Sequence, residues 1–291
     1  MAAVKARGLL MTERANTPLV HVISNYVTIN DVVNSILAVG AAAIAADDPQ
    51  ESADITALSE ALLINSGTPN DRRCEAMLRS GVEANRRGIP VVLDPVGAGA
   101  SPYRRTVLTK LLETVRFTCI RGNRSELAEL CGFHGISRGV EDSGAAATDE
   151  ALFQLAGKTG AVLCLSGATT SIIAPDGSKA ETAGGSVLQK KVTGSGCMMG
   201  AVIAAGLAKA GQAGQPDLTA KPDRTGQPDS HAFFETILSA VNCYEEAARR
   251  AEKRLLNEPR AGTASYRQYL IDALSEESLR DIRRDLCVNI K

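Results

Sequence analysis

PVVLDPVGAGAS (residues 90–101) joins a run of branched apolar residues to a single acid, Asp94, and then to a turn built on Pro95, Gly97 and Gly99. An apolar run this short and unbroken reads as a strand covered on both faces, as in a parallel sheet between helices. Similar runs recur as LVHVI (19–23), AAIAA (42–46), LLINS (62–66), FTCIR (117–121), AVLCL (161–165) and SIIAP (171–175). Helical patterns separate them. Thr28 followed by Asp31 predicts a capping box, Gly40 stops that helix, Asn70 and Asp71 open the next, and Gly88 closes it before Pro90. Strands alternating with helices predict an α/β fold, a central mostly parallel sheet flanked by helices. Asp176-Gly177 is a hairpin signal, so the sheet turns antiparallel after SIIAP. Everything beyond Gly194 reads as helical, with Phe234, Ile237, Leu238, Val241, Tyr244 and Ala248 forming one apolar face over residues 231–254.

The 291 residues carry 32 Lys+Arg against 33 Asp+Glu, a net charge of −1, with 44% apolar residues. That balance argues against a disordered chain and a nucleic-acid groove. One domain over residues 1–291 is expected, with a mobile surface loop at 211–230, GQAGQPDLTAKPDRTGQPDS. The seven cysteines are odd in number and lack any C-x-x-C pair, which suits a reducing compartment. The N-terminus shows no export signal, and the weakly polar stretch 197–208 falls short of the ~20 residues a membrane span requires. A cytoplasmic protein without membrane or nucleic-acid partners is expected. His21, His134 and His231 have no Cys or carboxylate at ligand spacing, so zinc is not expected, and His21 reads as a core histidine.

VTGSGCMMGAVIAAG (192–206) is the most informative segment for chemistry. Gly194, Ser195 and Gly196 expose backbone amides just where a small-residue helix begins, and a helix N-terminus favours an anion. Alone, such a loop is as readily a ligand-free turn. Two further segments tilt the balance. Asp94 ends one strand, and Arg121, Asn123 and Glu126 follow the next in FTCIRGNRSEL (117–127). Mg²⁺ on nucleotide phosphates takes only one or two carboxylates, which suits Asp94 and Glu126, and Arg121 suits a phosphate oxygen. The bland alternative makes the two acids helix caps and Arg121 a surface ion pair. The three together point to phosphoryl transfer.

NYVTIN (25–30), DPVGAGA (94–100), RGNRSE (121–126), LSG (165–167) and VTGSGC (192–197), in this order and spacing, resemble the hydroxyethylthiazole kinases of thiamin salvage, a ribokinase-like family, over residues 16–275. The resemblance implies a homotrimer with active sites at subunit boundaries. It also implies ATP- and Mg²⁺-dependent phosphorylation of the primary alcohol of 4-methyl-5-(2-hydroxyethyl)thiazole. It places the nucleotide on Arg121 and Ser166, the metal and phosphates on Asp94, Asn123 and Glu126, and the thiazole on Asn25, Val27 and Gly194. Cys197 stands where most ribokinase-like enzymes keep an aspartate base. At a helix N-terminus its thiol is expected to have a lowered pKa, leaving nucleophile, weak base and pocket wall open, with wall or weak base preferred. Two departures stand out. Ala45 occupies the position of the family's pocket methionine, and Thr170 replaces the acid of T-G-x-x-D. A kinase for a related hydroxymethylpyrimidine-like alcohol, a ribokinase-like lyase, a Cys197-dependent hydrolase and a noncatalytic binder are the alternatives, the hydrolase lacking an evident base.

Overall fold

The computed structural model describes residues 17–133, 147–212 and 230–288. Its centre is one eight-stranded sheet, β1 (Leu19–Ile23), β2 (Ala42–Ala45), β3 (Ala61–Asn65), β4 (Val91–Asp94), β5 (Cys119–Asn123), β6 (Val162–Ser166), β7 (Ser171–Ile173) and β8 (Lys179–Glu181), in the order β2-β1-β3-β4-β5-β6-β7-β8. Every neighbouring pair from β2 to β6 is parallel, and β6-β7 and β7-β8 are antiparallel. The predicted strands and the Asp176-Gly177 hairpin are all present, with Gly177 at φ +92.

Two cores follow from the two-residue alternation of strand side chains. Leu63, Val92, Cys119 and Cys164 face α1 (Ile29–Ala38), α7 (Ser195–Gln212), α8 (Ser230–Leu256) and α9 (Thr263–Val288). Leu62, Ile64, Leu93, Ile120 and Leu163 face α3 (Asp71–Arg87), α4 (Pro102–Thr114), α5 (Arg124–Phe133) and α6 (Asp149–Thr159). The short α2 (Ser52–Ala57) packs beside α3. Because α7 is buried from Cys197 to Ala205, its small side chains let it lie close on the sheet. Among the described residues no helix is long and apolar enough to cross a membrane.

Helix punctuation is mostly as expected. Asn70 accepts the Arg73 amide at 2.9 Å, and Gly88 closes α3 in the left-handed region. The capping box at Thr28 does not form. Thr28 sits at the N-cap, but its hydroxyl accepts from Asn25 Nδ2 at 2.8 Å, and the buried Asp31 pairs with Arg267 of α9. The tertiary partners outcompete the local cap. His21 lies in the core, with Nδ1 on the Thr56 hydroxyl and Nε2 on the Ala46 carbonyl, both at 2.8 Å. Of the expected mobile loop, residues 213–229 lie outside the described residues, as does His134.

Candidate active site

Parallel register lines the carboxyl edge of the sheet with polar residues: Asn65 stands opposite Asp94, and Asn123 opposite Ser166. Asp94 is fully buried, and the start of α7 lies over it. Its Oδ2 accepts from Asn65 Nδ2 at 2.9 Å, and its Oδ1 from Arg121 Nη1 at 3.4 Å. Burial pushes the Asp94 carboxyl up to about 6, with Arg121 opposing the rise and Glu126 adding to it.

Arg121 is buried, not at the surface. Its Nη2 donates to the Ser166 hydroxyl at 2.7 Å, and its Nε has no partner within the protein. A buried guanidinium with one unpartnered N–H has room for one more acceptor. Gly196, in the first turn of α7, lies against the guanidinium: a Cβ there would stand 2.5 Å from both terminal nitrogens. Gly194, at φ +82, turns the chain over Thr28, whose Cγ2 would be 2.7 Å from an added Cβ.

Glu126 caps α5 as the bland alternative supposed. Its Oε2 accepts the Asn123 amide at 2.9 Å while Asn123 Oδ1 accepts the Glu126 amide at 3.0 Å, and Oε1 also takes the Gly97 amide at 3.0 Å. Each oxygen keeps a further lone pair. Asp94 caps nothing; it faces Asn65 and Arg121.

The thiol of Cys197 corrects an expectation. It is buried beside Asp94, and those two effects push its pKa up to about 11, outweighing the hydrogen bonds from Thr28 and Asn65 and the nearby guanidinium. Helix position alone does not make a thiolate where the carboxylate and burial oppose it. Asn65 was not among the residues expected here. Its Nδ2 donates to both Asp94 and, at 3.2 Å, Cys197 Sγ, while its Oδ1 accepts from Asn25 Nδ2 and the Gly67 amide, both at 3.0 Å. The same signal that marked Asp94, a polar residue closing a buried apolar strand, marks Asn65 in LLINS.

Beyond this buried cluster, Asn25 Oδ1 accepts the Val27 amide at 3.0 Å, and the loop leaves Tyr26 73% and Val27 58% exposed. Ala45 ends the open-edge strand β2, exposed and paired in register with Val22. Asn25, Asp94, Arg121, Asn123, Glu126, Ser166 and the 194–197 turn thus converge at one edge of the sheet. Val27 and Ala45 lie at the rim.

Comparison with known proteins bears on the family and the fold. Residues 10–220 match the model of the hydroxyethylthiazole kinase family. A hydroxyethylthiazole kinase of Desulfovibrio desulfuricans is 39% identical over 281 residues, 92% of either chain. The chain belongs to the hydroxyethylthiazole kinase family. The structure of hydroxyethylthiazole kinase from Pyrococcus horikoshii superposes with a TM-score of 0.71 at 28% identity, covering 93% of this chain and 94% of that one. A ribokinase-like superfamily protein of Enterococcus faecalis shares the fold, with a TM-score of 0.59 at 13% identity over 91% of this chain and 88% of that one. The family assignment carries ATP use with it.

Proposed function

We propose that this protein phosphorylates the primary alcohol of 4-methyl-5-(2-hydroxyethyl)thiazole with ATP and Mg²⁺, as in thiamin salvage. The observation that carries the reading is the buried Arg121, paired with Asp94 and Ser166, keeping a spare Nε–H beneath the glycine turn at the head of α7. In this reading Arg121 and Ser166 take the phosphates and the 194–197 amides receive the transferred group. Asp94 and Glu126, both hard oxygen donors with lone pairs to spare, are the residues that would hold Mg²⁺ and its waters. Bound there, the cation supplies neutralisation of the charge on the transferred phosphoryl group. Asn123 keeps Glu126 in place, and Asn25, Val27, Ala45 and Gly194 border the thiazole. The test is ADP release with Mg-ATP and the thiazole alcohol, set beside hydroxymethylpyrimidine. Nucleotide binding with no turnover on either alcohol would leave a noncatalytic binder.

A thiol with a pKa near 11 is protonated at neutral pH, so Cys197 acts in this reading as a wall of the pocket. Phosphoryl transfer through a loose transition state depends on positioning and charge far more than on a strong base. Cys197→Ala should therefore keep kcat within about tenfold of the wild type, since a weak general base contributes less than the ~10²-fold or more of a strong one. A dead Ala variant, together with a phospho-cysteine in the intact mass of the wild type, would make the thiol a nucleophile.

The thiazole side is a half-pocket in one chain. Tyr26, Val27 and Ala45 lie exposed along the β1–β2 corner, and among the described residues β2 is an edge strand of the kind proteins cover. A homotrimer with its sites at the subunit boundaries supplies the missing wall. Light scattering should then give three times the 30.5 kDa chain mass, and a monomer at assay concentrations would remove that wall. With Ala45 lining the pocket, Ala45→Met should lower KM for the thiazole alcohol severalfold at ~0.8 kcal/mol per buried CH₂, and penalise bulkier 2-substituted thiazoles. Unchanged relative KM values would place Ala45 outside the pocket.

A further inference from the structure

One buried acid in this fold has no place in the chemistry above. Glu245 of α8 is 1% exposed, and among the described residues no Lys or Arg forms an ion pair with it. It spans two separate segments. Its Oε1 accepts the Thr170 hydroxyl at 2.6 Å, and its Oε2 accepts the Gly184 amide at 3.0 Å. Arg249, one turn further along α8, donates to the Gly184 carbonyl, and Tyr244 donates its hydroxyl to the Ser195 carbonyl at the head of α7. Gly184 has φ +81, and a Cβ on it would stand 2.0 Å from the Ala168 carbonyl oxygen. The turn after β8 therefore rests directly on the loop after β6, and that loop follows directly on Ser166, the partner of Arg121.

A buried acid side chain with no ion pair among the described residues is an expensive way to join two loops unless their placement matters. We propose that Glu245 is a positioning residue for the nucleotide side of the site: it clamps the 167–170 loop and the Gly184 turn together beside Ser166 and Arg121. The proposal rests on reading that edge as the ATP site. Asn25, Asn65 and Gly67, on the alcohol side, have no hydrogen bond to Glu245, Thr170 or Gly184. The clamp should accordingly act on one substrate and not on the other.

The split is the measurement, with equilibrium binding of a fluorescent ATP analogue in Mg²⁺ and KM for both substrates read on the full chain. Glu245→Ala, which leaves two buried donors unsatisfied, should weaken nucleotide binding about tenfold and move the alcohol's KM by less than about twofold. Glu245→Gln keeps an oxygen for the Gly184 amide and should restore most of the loss. Thr170→Val removes one arm of the clamp from the sheet side, should reproduce part of the loss, and carries the test should Glu245→Ala fail to fold. Wild-type nucleotide affinity in both Glu245→Ala and Thr170→Val overturns the proposal. So does an equal loss on both substrates, or a Gln variant no better than Ala. A wild-type protein that binds the analogue but transfers no phosphate defeats the kinase reading alone, because the loss of nucleotide binding in Glu245→Ala and Thr170→Val is still read. A wild-type protein that binds no nucleotide defeats both.

Discussion

Asp94→Asn should be nearly inactive and yet more stable than the wild type at neutral pH. A carboxyl raised from 3.8 to about 6 by burial is held ionised at pH 7 against the preference of the fold. The folded state binds its proton more tightly than the unfolded state does. Stability is therefore lost as pH rises from about 3.8 to about 6 and stays lost above, a cost of ~3 kcal/mol at neutral pH. Asparagine has the shape of the protonated acid and escapes that cost. The Asn variant should melt higher at pH 7, the gap should shrink below pH 6, and it should close near pH 4. Activity should move the other way. Removing one preorganised charge from such a site costs about 10²–10³ in turnover, and the wild type should itself lose activity as pH falls through about 6. Thermal melts at pH 5 and 7 beside ADP-release rates decide it. Full turnover in the Asn variant would remove Asp94 from the site, and a lower melting point at pH 7 would mean that Arg121 suffers more from losing its partner than the fold gains.

The sheet and its order of strands were legible because buried parallel strands write themselves as apolar runs, and Val91–Leu93 or Leu62–Ile64 have no other reading between helices. Asp94 and Arg121 were legible for a related reason: a charged residue where such a run ends has to be explained. Asn65 carries the same signal in weaker form, an amide instead of a charge. Thr28 and Cys197 misled because their local rules hold only where nothing else competes. Asn25 binds the Thr28 hydroxyl, and burial beside Asp94 raises the Cys197 thiol where the helix terminus alone would lower it. Glu245 was hidden altogether. In a helix that reads as one apolar face, nothing local distinguishes a carboxylate turned inward onto Thr170 from one turned to solvent.

The glycines at the head of α7 separate two demands that the sequence superimposes, helix formation and room for Arg121. Gly200→Ala should be benign or stabilising. Its Cβ would meet Leu63 Cδ1 at 3.7 Å and Asp94 Oδ2 at 3.9 Å, ordinary contacts, and alanine is favoured over glycine within a helix by roughly 0.5–1 kcal/mol. Gly196→Ala gains the same propensity but places its Cβ 2.5 Å from both terminal nitrogens of Arg121. The guanidinium is buried and tied to Asp94 and Ser166. It has to leave those partners or push α7 off the sheet. Overpacking of this kind costs about 1–3 kcal/mol of stability, and displacing Arg121 from the phosphates should lower kcat/KM for ATP by about 10²-fold. The comparison is internal, two Gly→Ala changes one helical turn apart on α7. Melting curves and ATP kinetics for the pair provide the measurement. Equal behaviour of the two variants would mean that Arg121 does not need the room Gly196 leaves, and the nucleotide site would have to be sought away from the head of α7.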